Sequence, residues 1–123
     1  MNLLIIDSGI LAEHRNFLDI TFLPTGFNGQ NDLLSITDHN GHGTAVADLI
    51  LKNHSDLNVY ILKLFNNESE TDISSLIEAL KFIKSDNKYQ IINMSFGVTF
   101  FKYPSQINEL EHLCAEIARQ GSI

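Results

Sequence analysis

Two side chains able to move a proton lead the reading. Asp7 closes the apolar run "NLLIID" ahead of a small-residue turn, and His42 sits between two glycines in "DHNGHGTAVADLI", residues 38–50. A carboxylate that accepts one imidazole N–H fixes the ring's tautomer and leaves the second nitrogen to act as a general base. Gly41 and Gly43 omit side chains beside the ring, so the backbone can turn tightly and a substrate can approach His42 closely. Taken alone, Asp7 reads equally as a strand-end carboxylate capping a turn; beside His42 the functional reading gains weight. His39 and His42 lie three apart and could ligate a metal with Asp38 or Asp7, but Asp38-His39-Asn40-Gly41 also reads as a polar turn, and no metal or other cofactor is expected. His14, His54 and His112 read as surface residues.

The elements that must position these groups alternate in type. Four β-rich runs, "NLLIID", "DITFL", "NVYILKL" and "QIINMSF", are separated by helical patterns. The first, third and fourth are nearly continuous apolar runs, as in strands buried on both faces. "GTAVADLILK" places Val46, Leu49 and Ile50 at helical spacing. "DISSLIEALKFIKS" places Ile73, Leu76, Ile77, Leu80 and Ile83 on one face, with Asp72 as N-cap. A third helix, "SQINELEHLCAEIARQ", begins after Pro104 and stops at Gly121, with Ile107, Leu110, Leu113, Cys114 and Ile117 as its stripe; Cys114 there reads as a small buried hydrophobe. The expected fold is α/β, an open parallel sheet with helices on both faces, truncated after about four strands. Ligands of such sheets bind beyond the carboxyl ends of the strands, where Asp7 and Ser95 fall.

Composition narrows the partners. The 123 residues, 44% of them hydrophobic, suffice for one domain. A formal net charge of −7 repels phosphate backbones and anionic lipid, which argues against nucleic acid and membrane partners. One cysteine makes no internal disulfide and no pair for structural zinc. No run approaches the roughly 18 apolar residues of a membrane span, and "MNLLIIDSG" lacks a signal peptide's basic flank and long apolar stretch. A soluble, cytoplasmic protein is expected.

Three blocks in order, "LLIIDSGI", "NGHGTAVA" and "IINMSFG", together with "VYILKLF", resemble the subtilisin-like serine proteases, or subtilases. The resemblance implies that Asp7 is the catalytic Asp and His42 the catalytic His, which would take a proton from a serine hydroxyl attacking a peptide carbonyl. It also implies that residues 1–123 correspond to the N-terminal half of the peptidase domain. The family's Gly-Thr-Ser nucleophile motif and its oxyanion-hole Asn do not occur in this sequence, so the chain alone is expected to be inactive. Ser8 and Ser95 do not sit in nucleophile-like turns.

By the same resemblance Ser95, Phe96 and Gly97 form the turn that pairs with substrate, and Glu68, Ser69 and Glu70 fall near the opposing edge of the groove. An extended peptide or protein substrate would bind by strand addition. If the two glutamates face the groove they favour basic side chains; a solvated acidic loop is the equal alternative. Departures from the family include Ala45 and Asp48 in the His block, Arg15 for a common Pro, and Asn16 where a calcium-ligating Asp is often found, with no room for a calcium-binding insertion between Lys52 and Val59. No calcium is expected at that site. Because the first strand begins at once, no propeptide is expected, and an intracellular type is the expected fit.

Two other classes compete. A phosphoacceptor signalling domain would explain the strand-end Asp but lacks a Lys at a later strand end. A non-catalytic peptide-binding or split-protease module, pairing with another chain, would explain the missing nucleophile. A truncated sheet is further expected to expose an apolar edge that favours self-association or a second chain.

Overall fold

The computed structural model describes residues 1–11, 20–22, 37–54, 56–65, 73–96 and 104–123. Four strands, β1 (Asn2–Asp7), β2 (Ile20–Phe22), β3 (Asn58–Lys63) and β4 (Ile91–Asn93), form one sheet in the order β2-β3-β1-β4. Every pairing is parallel, and the register runs from Asn2↔Asn58 to Asp7↔Lys63 and from Leu3↔Ile91 to Ile5↔Asn93. All four carboxyl ends therefore lie along one border of the sheet.

Side-chain alternation along β1 divides the core in two. Leu3 and Ile5 pack with Ile10, Val59, Ile61 and Ala47 of α1 (His42–Asn53). Leu4 and Ile6 pack on the opposite face with Leu62, Leu64 and the apolar sides of α2 (Ile73–Asp86) and α3 (Pro104–Arg119). Helices thus cover both faces of a parallel sheet, as the apolar runs require. The connections β2-α1-β3 and β3-α2-β4 advance in the same direction across the sheet yet lie on opposite faces. The two crossovers consequently have opposite hands, and one of them departs from the right-handed rule that holds in about 98% of cases.

The sequence pattern explains most helix boundaries. Ile73, Leu76, Ile77, Leu80 and Ile83 are all buried. Pro104 opens α3, where a missing N–H costs nothing. Gly121, at φ 105°, ends it with a bond from its N–H to the Ala118 carbonyl. Asp72, the expected cap of α2, lies outside the described residues. Among those described, no helix is long and apolar enough to cross a membrane.

Three expectations need correction. Leu49 points to solvent, 68% exposed, because α1 meets the sheet through Gly43, Val46, Ala47 and Ile50, a face rotated away from Leu49. Strand β4 is half-buried rather than buried on both faces, because it is an edge strand among the described residues. Cys114 is only partly buried, packing at the rim of the α2–α3 core; burial pushes its thiol upward from the ordinary value. The β4 edge is also not wholly bare. The Ile123 N–H donates to the Gln90 carbonyl and the Ile92 N–H to the Ile123 carbonyl, both at 2.9 Å, the pattern of a parallel ladder.

Candidate active site

Asp7 is the last residue of β1, and alternation puts its side chain on the α1 face of the sheet, in line with Leu3 and Ile5. It is 1% exposed. The Ser8 N–H donates to Asp7 Oδ1 at 2.8 Å and orients the carboxylate. His42 is the first residue of α1, and its Nδ1 lies 2.8 Å and 2.9 Å from the two Asp7 oxygens. With Nδ1–H given to the carboxylate, Nε2 is left with its lone pair for a second partner. The ring is half exposed while the carboxylate is buried, so the pair has one face set in the protein and one open.

Both glycines flanking His42 are used, for different reasons. Gly41 has φ 94° and turns the chain into the helix, a conformation that other residues rarely adopt. Gly43 lets the helix come close to the turn after β1: a Cβ there would stand 2.4 Å from the Gly9 carbonyl oxygen and 3.1 Å from Ser8 Oγ. The second glycine therefore serves packing between α1 and the β1 turn rather than access of a substrate to the ring.

Behind the pair lies a buried polar network. Asp38 Oδ1 accepts from Ser8 Oγ (2.8 Å), Asn40 N–H (2.9 Å) and Gly41 N–H (2.8 Å), and Oδ2 accepts from Thr44 N–H (2.9 Å) and Thr44 Oγ1 (2.6 Å). The Gly43 N–H donates to Ser8 Oγ and the Leu11 N–H to Thr44 Oγ1. Burial pushes the Asp38 carboxyl upward, but hydrogen bonds from Thr44, Gly41 and Ser8 outweigh it and hold the group well below the usual carboxylate range. Gly41 itself offers no side-chain cap, so the free amides of the helix start are met by neighbouring side chains: His42 by Asn40 Oδ1, Gly43 by Ser8 Oγ and Thr44 by Asp38. Lys63, paired with Asp7 in the sheet and 1% exposed, donates to the Thr37 carbonyl at 2.7 Å. Burial pulls its ammonium downward from the ordinary value, and the charge of Asp38 opposes that shift.

The open face of His42 borders a cleft of about 140 Å³ lined by Asp7, Ser8, Asn40, His42, Phe65, Ser95 and Phe96. Phe65 and Phe96 meet edge to face, ring centroids 4.8 Å apart, and make its apolar wall. Ser95 and Phe96 are thus brought together with Asp7 and His42; Gly97, Glu68, Ser69 and Glu70 lie outside the described residues, as do His14, Arg15 and Asn16. His39 is exposed, and no metal-binding cluster of His, Cys, Asp or Glu occurs among the described residues. A larger groove of about 550 Å³ between α2 and α3 is lined largely by ion-paired surface side chains, including Lys81, Lys84, Glu109 and Glu116, and holds no comparable buried pair.

Sequence reasoning passed over Thr44 and Lys63, and met Asp38 only as a possible metal ligand or part of a polar turn. A signal existed for Lys63, which ends β3 beside Asp7 and so overturns the expectation of no Lys at a later strand end: one lysine closing the apolar run "NVYILKL" implies a buried cation, and a buried cation requires a partner. Asp38 had no such signature, because an acidic residue in a polar turn is ordinary.

Comparison with known proteins bears on this arrangement. The family model described as the subtilase family matches residues 3–123. The minor extracellular protease Epr of Bacillus subtilis (strain 168) is 30% identical over 104 residues, 77% of this chain and 15% of Epr. A lanthipeptide protease of known structure superposes with a TM-score of 0.79 at 18% identity, over 99% of this chain and 37% of its own. The epidermin leader peptide processing serine protease EpiP of Staphylococcus aureus gives a TM-score of 0.74 at 19% identity, over 100% and 36%. At those identities the two structures speak for the fold, and the chain spans well under half the length of each of these relatives. The family match extends over nearly the whole sequence, and on that ground the chain belongs to the subtilase family, a serine-protease lineage.

Proposed function

We propose that residues 1–123 are the N-terminal half of a subtilisin-like serine endopeptidase domain in which Asp7 and His42 are two members of an Asp-His-Ser triad. The observation that carries this reading is the contact of His42 Nδ1 with both oxygens of a buried carboxylate, beside a cleft at the carboxyl ends of β1 and β4. Asp7 holds the Nδ1–H tautomer and stabilises the imidazolium that forms when Nε2 takes the serine proton. The nucleophile and the oxyanion Asn are not among these 123 residues, so the chain by itself does not hydrolyse peptides. The protease relatives favour this lineage over a split peptide-binding module.

In this reading an extended peptide lies along Ser95, Phe96 and Gly97, with Ser69 and Glu70 on the far side of the groove, and the aromatic wall of Phe65 and Phe96 receives an apolar side chain. A cytoplasmic setting belongs to the same proposal and rests on composition and the lone Cys114; Epr is named an extracellular protease, and fractionation of the producing cells decides between the two placements.

The protein recovered from its source, treated with a serine-directed fluorophosphonate, tests the assignment. An adduct is expected on a polypeptide that contains this sequence and extends beyond it, and His42→Ala abolishes the labelling. An adduct indifferent to His42, or peptide hydrolysis by the 123 residues alone, overturns it.

A further inference from the structure

We propose that Asp38 is the positioning residue of this site: its buried carboxylate ties the start of α1 to the end of β1 and so keeps the His42 ring on Asp7. The inference rests on reading Asp7 and His42 as a catalytic pair. The ring is half exposed, so packing alone does not fix it. Its place is set by where α1 begins relative to β1, and the two segments are joined at that point by hydrogen bonds that converge on one side chain. Oδ1 takes the hydroxyl of Ser8, the residue bonded to Asp7, together with the amides of Asn40 and Gly41 just before His42. Oδ2 takes the amide and hydroxyl of Thr44, two residues after it. Residues on both sides of the ring are thereby referred to the strand that carries its partner.

The donor pattern requires a carboxylate. All five bonds bring a hydrogen to Asp38, and four of the five use both of its oxygens against backbone amides or the Ser8 hydroxyl, which itself accepts from Gly43. An asparagine offers one acceptor and one NH₂, and either orientation sets a donor against a backbone N–H: Thr44 in one, Asn40 and Gly41 in the other. The substitution Asp38→Asn would also leave the buried Lys63 without the charge that opposes its desolvation. Ser8 is the separable part of the device. Its hydroxyl donates to Asp38 and accepts the Gly43 amide, so it links strand and helix while the remaining Asp38 bonds cap the helix.

The tautomer of His42 provides a readout that general stability does not move. In the ¹⁵N-histidine-labelled chain, two-bond ¹H–¹⁵N correlations above the ring's titration give the Nδ1–H to Nε2–H ratio. The wild-type chain is expected to hold the Nδ1–H form. Ser8→Ala is expected to lower that ratio tenfold or more, Asp38→Asn at least as far, and Ser8→Thr, which restores the hydroxyl, to return it toward the wild-type value. Should Asp38→Asn fail to fold, judged by its thermal transition, Ser8→Ala decides. A folded Ser8→Ala chain with the wild-type ratio overturns the proposal while leaving the Asp7–His42 pair intact. A wild-type ring without the Nδ1–H form overturns the pair, and this inference with it.

Discussion

The two faces of the sheet solve the same burial problem with different chemistry. On the α2–α3 face the interior is apolar apart from the Tyr89 hydroxyl, which donates to Asp86, and runs from Leu4 and Ile6 to Leu80, Leu113 and Ile117, with exposed ion pairs outside it. On the α1 face the apolar layer of Leu3, Ile5, Val59 and Ile61 gives way, at the carboxyl ends of the strands, to Asp7, Ser8, Asp38, Thr44 and Lys63, which make up the buried polar set among the described residues. An apolar face gains from contact area alone and tolerates small shifts. A buried polar corner is favourable only while every donor and acceptor is matched, so it enforces one geometry. The fold places its specific geometry where the Asp7–His42 pair lies and builds the rest from packing.

Substitutions that separate these two kinds of interior test the contrast, and the largest effect belongs to the polar corner. Asp38→Ala removes five accepted bonds and the charge that favours the Lys63 ammonium, and breaking such a buried set costs about 3–5 kcal/mol. Because the folded Asp38 carboxyl titrates below its ordinary value near 4, the stability it contributes is complete above that value and is lost as pH falls toward the folded one. Urea titrations between neutral and acidic pH are expected to show an acid limb in the wild-type chain that Asp38→Ala flattens. Leu80→Ala, on the apolar face and 1% exposed, is expected to cost about 2–5 kcal/mol. That loss leaves the acid limb and the His42 tautomer unchanged, and a shift of either would show that the faces are coupled. Gly43→Ala follows at about 1–3 kcal/mol, since its Cβ meets the Gly9 backbone and α1 must retreat. Here a nuclear Overhauser measurement across α1 and β1 is expected to weaken together with the tautomer ratio.

The apolar face was far more legible in the sequence than the polar corner. Periodicity placed all five apolar positions of α2 in the core, because a helix packed on a sheet needs one continuous stripe and "DISSLIEALKFIKS" offers only one. The same rule misplaced Leu49: α1 is short and crowded at its start by Gly43 against Gly9, and that close approach, absent from any local pattern, set which side faced inward. Buried runs located the four strands, but the half-burial of β4 depends on its place in the sheet order, which is non-local. At the site, Asp7 and His42 were legible because each has an unusual setting, a carboxylate ending an apolar run and a ring between glycines. Asp38 was not, because its meaning comes from Ser8, thirty residues away in sequence and touching it in space.

The smallest expected effect completes the contrast. Lys81 reaches Glu78 on its own helix at 3.1 Å and Glu109 on α3 at 3.2 Å, and the hydrogen bonds it donates to these two carboxylates raise its ammonium above the ordinary lysine value. By count of partners it looks like a clasp between α2 and α3. All three side chains are exposed, however, so the attraction acts through water and is offset by the entropy of holding long side chains in place. Lys81→Gln is therefore expected to leave the thermal midpoint of the chain unchanged at physiological salt, with a small decrease emerging only at low ionic strength, where screening is weak. A clear loss at high salt would mean that α3 is held to α2 by charge rather than by Leu113 and Ile117, and the apolar face would then share the polar corner's dependence on matched groups.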